Sequence, residues 1–191
     1  YMGDCYEQMG HLEDALHSFR RVIELDNSDP EGWFGAGMIY HRMGSQQEAI
    51  TYILKAIEFD NKNLDYWINL GYANEDAGLL EEALKCYGYV TRADVKDLDG
   101  WSALTGMLMK EGLYEKAIGF LREAFVHHSK DPGIKLKMAV CHLKLGEKEL
   151  SVKFLGEALE ANGDLESEFA YFFPEGVREP EIELIIQQYK K

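Results

Sequence analysis

Hydrophobic positions along this chain recur at helical intervals, and that pattern itself recurs. Trp67, Leu70, Gly71 and Asn74 follow i, i+3, i+4, i+7 spacing, and after Gly78 the set Ala83, Leu84, Tyr87 and Val90 does the same, which predicts two amphipathic helices joined by a tight turn. The pair belongs to a series. Trp33, Trp67 and Trp101 stand 34 residues apart, and the same step relates Gly10, Gly44, Gly78, Gly112 and Gly146. It also relates Ala15, Ala49, Ala83, Ala117 and Ser151, then Gly3, Gly37, Gly71, Thr105 and Ala139, then Phe19, Ile53, Tyr87, Leu121 and Leu155, and finally Val22, Ala56, Val90, Ala124 and Ala158. A fixed period of this length marks stacked helical units, each too small to bury its own apolar face.

The recurring glycine falls just past each first helix, where a left-handed residue ends a helix without steric cost. The small residue seven positions earlier and the alanine after the turn are expected where the two helices touch, so Gly71→Leu should overpack by about 1–3 kcal/mol. Asp29-Pro30 and Asp131-Pro132 carry helix-start signals. The three tryptophans are expected in the core, each removing on the order of 150–250 Å² from water.

The W-x2-L-G run Trp67-Ile68-Asn69-Leu70-Gly71, followed by Ala83, Tyr87 and Val90, resembles the tetratricopeptide repeat, a 34-residue helix-turn-helix family. The resemblance covers residues 1–29 (a unit lacking its first positions), 30–63, 64–97, 98–131 and 132–165 without insertion. It implies an all-α fold, a right-handed superhelical solenoid of antiparallel helix pairs. The proline frequent late in the family's second helix is replaced by Asn27, Asn61, Val95 and Ser129, and the fifth unit has Lys135 for Trp and Ser151 for Ala. Residues 166–191 leave the pattern: Phe169, Tyr171, Phe172, Phe173 and Pro174 precede a stripe through Ile182, Ile185, Ile186 and Tyr189 after Pro180. We read them as a C-terminal helical cap, which the open end of a repeat stack requires. Tyr1 falls inside the first helix of a unit, so at least part of a helix is expected upstream.

Charge narrows the partners. There are 34 Asp plus Glu against 20 Lys plus Arg, a formal net charge of -14, which argues against gripping nucleic acid or an anionic membrane surface. The longest apolar run, Phe169 to Phe173, is far short of a membrane span, and the N-terminus has no signal-peptide pattern. Cys5, Cys86 and Cys141 are widely spaced and odd in number, so a disulfide framework is not indicated, and reducing, cytoplasmic surroundings are expected.

No catalytic, cofactor or metal site is legible. H-E-x-x-H, phosphate-loop, G-x-S-x-G and EF-hand patterns are absent, and Gly35-x-Gly37-x-x-Tyr40 lacks the final glycine of a dinucleotide fingerprint. His11, His17, His41 and His142 belong to separate turns or helices, and the adjacent His127 and His128 point about 100° apart on a helix. Glu81, Glu82, Glu147 and Glu149 sit where carboxylates meet the positive end of a helix dipole. A non-enzymatic chain is expected.

What the resemblance implies about function is a concave face lined by first helices that binds a partner's peptide or helical segment. Position by position this selects Phe34, Met38, His41 and Arg42, then Ile68, Asn69, Tyr72, Glu75 and Asp76, then Ser102, Ala103, Met109 and Lys110, then Leu136, Lys137, Val140 and Lys144. Phe34, Met38, Ile68 and Tyr72 form the expected apolar floor. A family subclass holds the C-terminal carboxylates of heat-shock chaperones with Lys, Asn, Asn, Lys and Arg; here Phe34, Met38, Asp99 and Ala103 stand at four of the five positions and only Asn69 agrees. The alternatives are self-assembly into a homo-oligomer, or service as the targeting arm of a longer protein with an upstream domain.

Overall fold

The computed structural model describes residues 11–162, 165, 167, 169, 170, 174 and 180–189; Gly3, Cys5, Gly10, Tyr171, Phe172 and Phe173 lie outside the described residues. The described residues form helices only: α1 (Leu12–Leu25), α2 (Pro30–Arg42), α3 (Gln46–Phe59), α4 (Leu64–Asp76), α5 (Leu80–Ala93), α6 (Leu98–Lys110), α7 (Tyr114–His127), α8 (Pro132–Lys144), α9 (Lys148–Ala161) and α10 (Pro180–Tyr189). They divide into two compact units, with the boundary between Ala93 and Asp94.

Each first helix is punctuated alike at both ends. At the start, a side chain caps backbone N–H groups that have no partner inside the helix: Asp29 accepts from Glu31 N, Asn63 from Asp65 N, Asp97 from Asp99 N and Gly100 N, and Asp131 from Ile134 N. At the end stand Gly44, Gly78, Gly112 and Gly146, all left-handed with φ of 78°, 75°, 71° and 80°. The N–H after each glycine reaches back five residues, as Ser45 N does to Tyr40 O (2.9 Å) and Leu79 N to Asn74 O (2.8 Å). This Schellman arrangement reverses the chain into the second helix.

The turn from one repeat to the next is held by three ties at the 34-residue step. An aspartate folds back on the turn: Asp26 Oδ1 accepts from Ser28 N, Asp60 Oδ1 from Lys62 N and Asp94 Oδ1 from Lys96 N. The helix cap follows. Then a tryptophan indole donates to a main-chain carbonyl six residues back: Trp33 Nε1 to Asn27 O (2.9 Å), Trp67 Nε1 to Asn61 O (3.0 Å) and Trp101 Nε1 to Val95 O (2.9 Å). Of the three tryptophans expected in the core, Trp101 is buried, while Trp33 and Trp67 are half-buried and pack against the unit 1 core. Between α7 and α8 the aspartate is replaced by His128 and the tryptophan by Lys135, so only the Asp131 cap remains of the three ties.

In unit 1, Ala15, Leu16 and Phe19 of α1 pack with Ala36 and Ile39 of α2. Ala49, Ile50, Ile53, Ala56 and Ile57 of α3 pack with Tyr66, Leu70 and Ala73 of α4 and Cys86 of α5. The expected close approach is present: a Cβ on Gly37 would lie 2.8 Å from Ile53 Cγ1 and 3.3 Å from the Ala49 carbonyl, and one on Gly71 would lie 2.3 Å from Tyr87 Cε1. In unit 2, successive helices from α6 to α10 pack in chain order. α10 lies on α9 with Ile182 and Ile186 buried and Ile185 against Gly156, and Phe169 is fully buried.

Candidate functional site

Adjacent first helices are joined by side chains 35 residues apart, one repeat plus one position. In unit 1, Tyr66 Oη of α4 donates to Glu31 Oε1 of α2 at 2.5 Å, and at the other end of the same two helices His41 Nε2 lies 2.9 Å from Asp76 Oδ2. Burial and then the Glu31 carboxylate push the Tyr66 phenol up, so it remains the donor. In unit 2, Lys137 Nζ of α8 donates to Ser102 Oγ (2.5 Å) and to the Ser102 carbonyl (3.2 Å) of α6. These rungs fix the lateral spacing of the helices that carry the candidate binding residues.

Between the rungs of unit 1, the Phe34 ring lies 4.6 Å from that of Tyr66, and Phe34 and Met38 are half-buried against the unit 1 core. Asn69 Nδ2 donates to Asp65 O (2.8 Å), and Tyr72 is 40 % exposed, its ring edge-on to Tyr87 at 5.6 Å. Glu75 accepts from the buried Tyr87 hydroxyl at 3.2 Å, while Arg42 and Asp76 are exposed at the helix ends. Asn69, Tyr72 and Asp76 stand three and four residues apart and so share one stripe of α4. Ile68, expected on the floor, is 8 % exposed and contributes to the interior instead.

Unit 2 presents less of its expected set. Ser102 and Lys110 are exposed and Lys144 is half-buried, but Met109 is 5 % and Lys137 7 % exposed, and Ala103, Leu136 and Val140 are buried with them. The reason is enclosure: along α8 every residue from Leu136 to Leu143 is buried. Lys137 tolerates burial because its ammonium has the two Ser102 oxygens.

The other titratable groups have structural surroundings. Among the described residues no group of three or more His, Cys, Asp or Glu side chains is placed to hold a metal ion. His142 stacks parallel on Phe154, ring centroids 5.6 Å apart, with its Nδ1 2.5 Å from Glu147 Oε2. Glu81 and Glu82 occupy the first turn of α5, where Lys85 reaches Glu82 at 2.6 Å. Burial pushes the Cys86 thiol up to about 11 and the Cys141 thiol up to about 12, and both cysteines are free. No described helix is long and apolar enough to cross a membrane.

Two features of this site went unread in the sequence. Tyr66 departs from Gly32 and Gly100 at the same position of the neighbouring units, a visible signal of something specific to that repeat. Glu31 carries no such signal, because its partner is known only once α2 and α4 lie side by side.

Comparison with known proteins accords with this geometry. A family model described as TPR repeat matches residues 3–44, and one described as tetratricopeptide repeat matches residues 30–63. No curated protein matches by sequence. Among solved structures, the crystal structure of MamA is 19 % identical with a TM-score of 0.74, covering 86 % of this chain and 96 % of that one. YrrB, described as a TPR protein with an unusual peptide-binding site, is 19 % identical with a TM-score of 0.67, covering 88 % of this chain and 86 % of its own. TTC0263, a thermophilic TPR protein of Thermus thermophilus, is 19 % identical with a TM-score of 0.60, covering 91 % of this chain and 96 % of its own. Tetratricopeptide repeats are thus matched in sequence over residues 3–63, and most of the chain shares the fold of solved tetratricopeptide repeat structures.

Proposed function

We propose that the chain is a non-catalytic protein-interaction scaffold, and that the first-helix face of unit 1 holds a peptide or helical segment of a partner protein. The observation that carries this reading is the α2–α4 face: two helices locked at both ends by Glu31–Tyr66 and His41–Asp76, with Phe34 and Met38 half-buried between the rungs and Tyr72 exposed. A rigid surface offering an aromatic ring beside polar groups loses little entropy when it binds. YrrB, a TPR protein with an unusual peptide-binding site, supports peptide binding on this fold.

Tyr72→Glu tests the proposal. Tyr72 projects from the surface, whereas Phe34→Glu would place a carboxylate against the unit 1 core and confuse unfolding with lost binding. Protein captured by the wild type and lost with a fully helical Tyr72→Glu variant supports this face as the site. The same proteins captured equally by both reject it.

A further inference from the structure

Unit 2 contains a cavity of about 290 Å³ among α6, α7 and α8. Trp101, Leu121, Ile134 and Leu165 form buried apolar walls, and the exposed Ser102 stands with Lys137 at its polar side. The cavity opens to solvent beside the exposed Leu98, Asp99 and Ser102, and its volume is close to the lower end for small-ligand pockets.

The internal repeat explains the space. Two repeats earlier in register, unit 1 has Phe34 where unit 2 has Ser102, and Tyr66 where unit 2 has Ile134. In unit 1 those two rings fill the space between neighbouring first helices, 4.6 Å apart. In unit 2 a hydroxymethyl and a branched alkyl group replace them, and the volume of an aromatic side chain is left over. The lining disfavours an anionic occupant, because Asp99 and Asp131 face it and the Lys137 ammonium already donates to both Ser102 oxygens, while the buried apolar walls favour an uncharged ring.

We propose that this cavity receives a neutral aromatic side chain, such as phenylalanine, from a partner protein's segment lying across α6 and α8. The partner's ring then stands where unit 1 uses its own Phe34. The proposal rests on the reading of first-helix faces as the partner-binding surface, and it names the side chain that unit 2 selects.

The test is a nuclear magnetic resonance titration of the isotope-labelled chain with N-acetyl-L-phenylalaninamide, with N-acetyl-L-alaninamide and toluene in parallel. The Trp101 indole signal is identified as the one lost in Trp101→Phe. The expected result is a shift of that indole signal and of the Ser102 amide with the phenylalanine amide and none with the alanine amide. Ser102→Phe should fill the space as Phe34 does and abolish the shift. No indole shift at millimolar phenylalanine amide in the wild-type chain overturns the proposal, whether or not Ser102→Phe folds. Shifts produced by toluene but not by the phenylalanine amide also overturn it, because the cavity then serves a small apolar molecule. Partner capture that is lost in Tyr72→Glu but unchanged in a folded Ser102→Phe variant keeps the unit 1 face and removes the cavity from partner binding. Capture indifferent to Tyr72→Glu removes the unit 1 face and leaves the titration to decide the cavity.

Discussion

Gly71 and Gly119 are both helical glycines, yet alanine at the two positions should move stability in opposite directions. A Cβ on Gly71 would lie 2.3, 2.7 and 2.8 Å from Tyr87 Cε1, Cδ1 and Cζ. Ordinary carbon contact is about 3.5 Å or more, so the ring would have to retreat by roughly 1 Å. It has little room to do so, being fully buried with its hydroxyl on Glu75. Overpacking of this kind costs about 1–3 kcal/mol, and the gain in helix propensity returns at most about 1 kcal/mol. Gly71→Ala should therefore lower stability by ~1–2 kcal/mol. At Gly119 in α7 no atom of the described residues lies within 4 Å of the added methyl, so Gly119→Ala should raise stability by ~0.5–1 kcal/mol. Urea unfolding followed by far-ultraviolet circular dichroism reads both. The repeat suggests a rescue, because the positions matching Gly71 and Tyr87 hold Thr105 with Leu121 and Ala139 with Leu155. Tyr87→Leu should restore most of what Gly71→Ala loses, a coupling of at least ~0.5 kcal/mol in a double-mutant cycle. A Gly71→Ala midpoint equal to or above wild type, or strict additivity with Tyr87→Leu, would refute the steric argument.

Three further outcomes are expected. Ser151 Oγ is fully buried with no hydrogen-bond partner among the described residues, so Ser151→Ala, which restores the residue found at the four matching positions, should raise stability by about 1 kcal/mol in the same urea assay. The Asp26 carboxylate accepts from the Ser28 hydroxyl and amide, which hold its pKa below the ordinary value; its contribution to folding is present above the unfolded-state pKa and is lost as pH falls through the folded-state pKa. Carbon-detected titration should place Asp26 below an unperturbed aspartate, and Ser28→Ala should move it back up. Because burial raises the Cys86 and Cys141 thiols, both should resist a thiol reagent at about pH 8 in the folded chain and react promptly in urea; rapid labelling of either in the native protein would contradict the burial.

Periodicity made most of the fold readable. Four glycines at one step announced four left-handed turns, and Gly37 and Gly71 announced the close helix contacts, because each requirement is local to a single backbone position or helix pair. Asn63 and Asp97 share the step of Asp29 and Asp131, yet without a following proline their capping role was less visible. The indole bonds were hidden for another reason. Apolar spacing reports a tryptophan's area, while its N–H matters only once the preceding turn comes within reach. The candidate site was legible as a helix stripe but not in depth. Whether Ile68 or Lys137 faces solvent depends on the side chains of the neighbouring helix, which no pattern within one repeat contains.

The acceptor of each indole bond has an evolutionary consequence. Trp33, Trp67 and Trp101 all address a main-chain carbonyl, supplied by Asn27, Asn61 and Val95 in turn. Every amino acid carries that oxygen, so the side chain at the turn is released from selection by the tie. Exchange of a polar amide for valine at position 95 is therefore silent for the tie, whereas loss of the indole, as at Lys135, is not. Lineages of this array should accumulate substitutions in the turns faster than at the tryptophans that hold them.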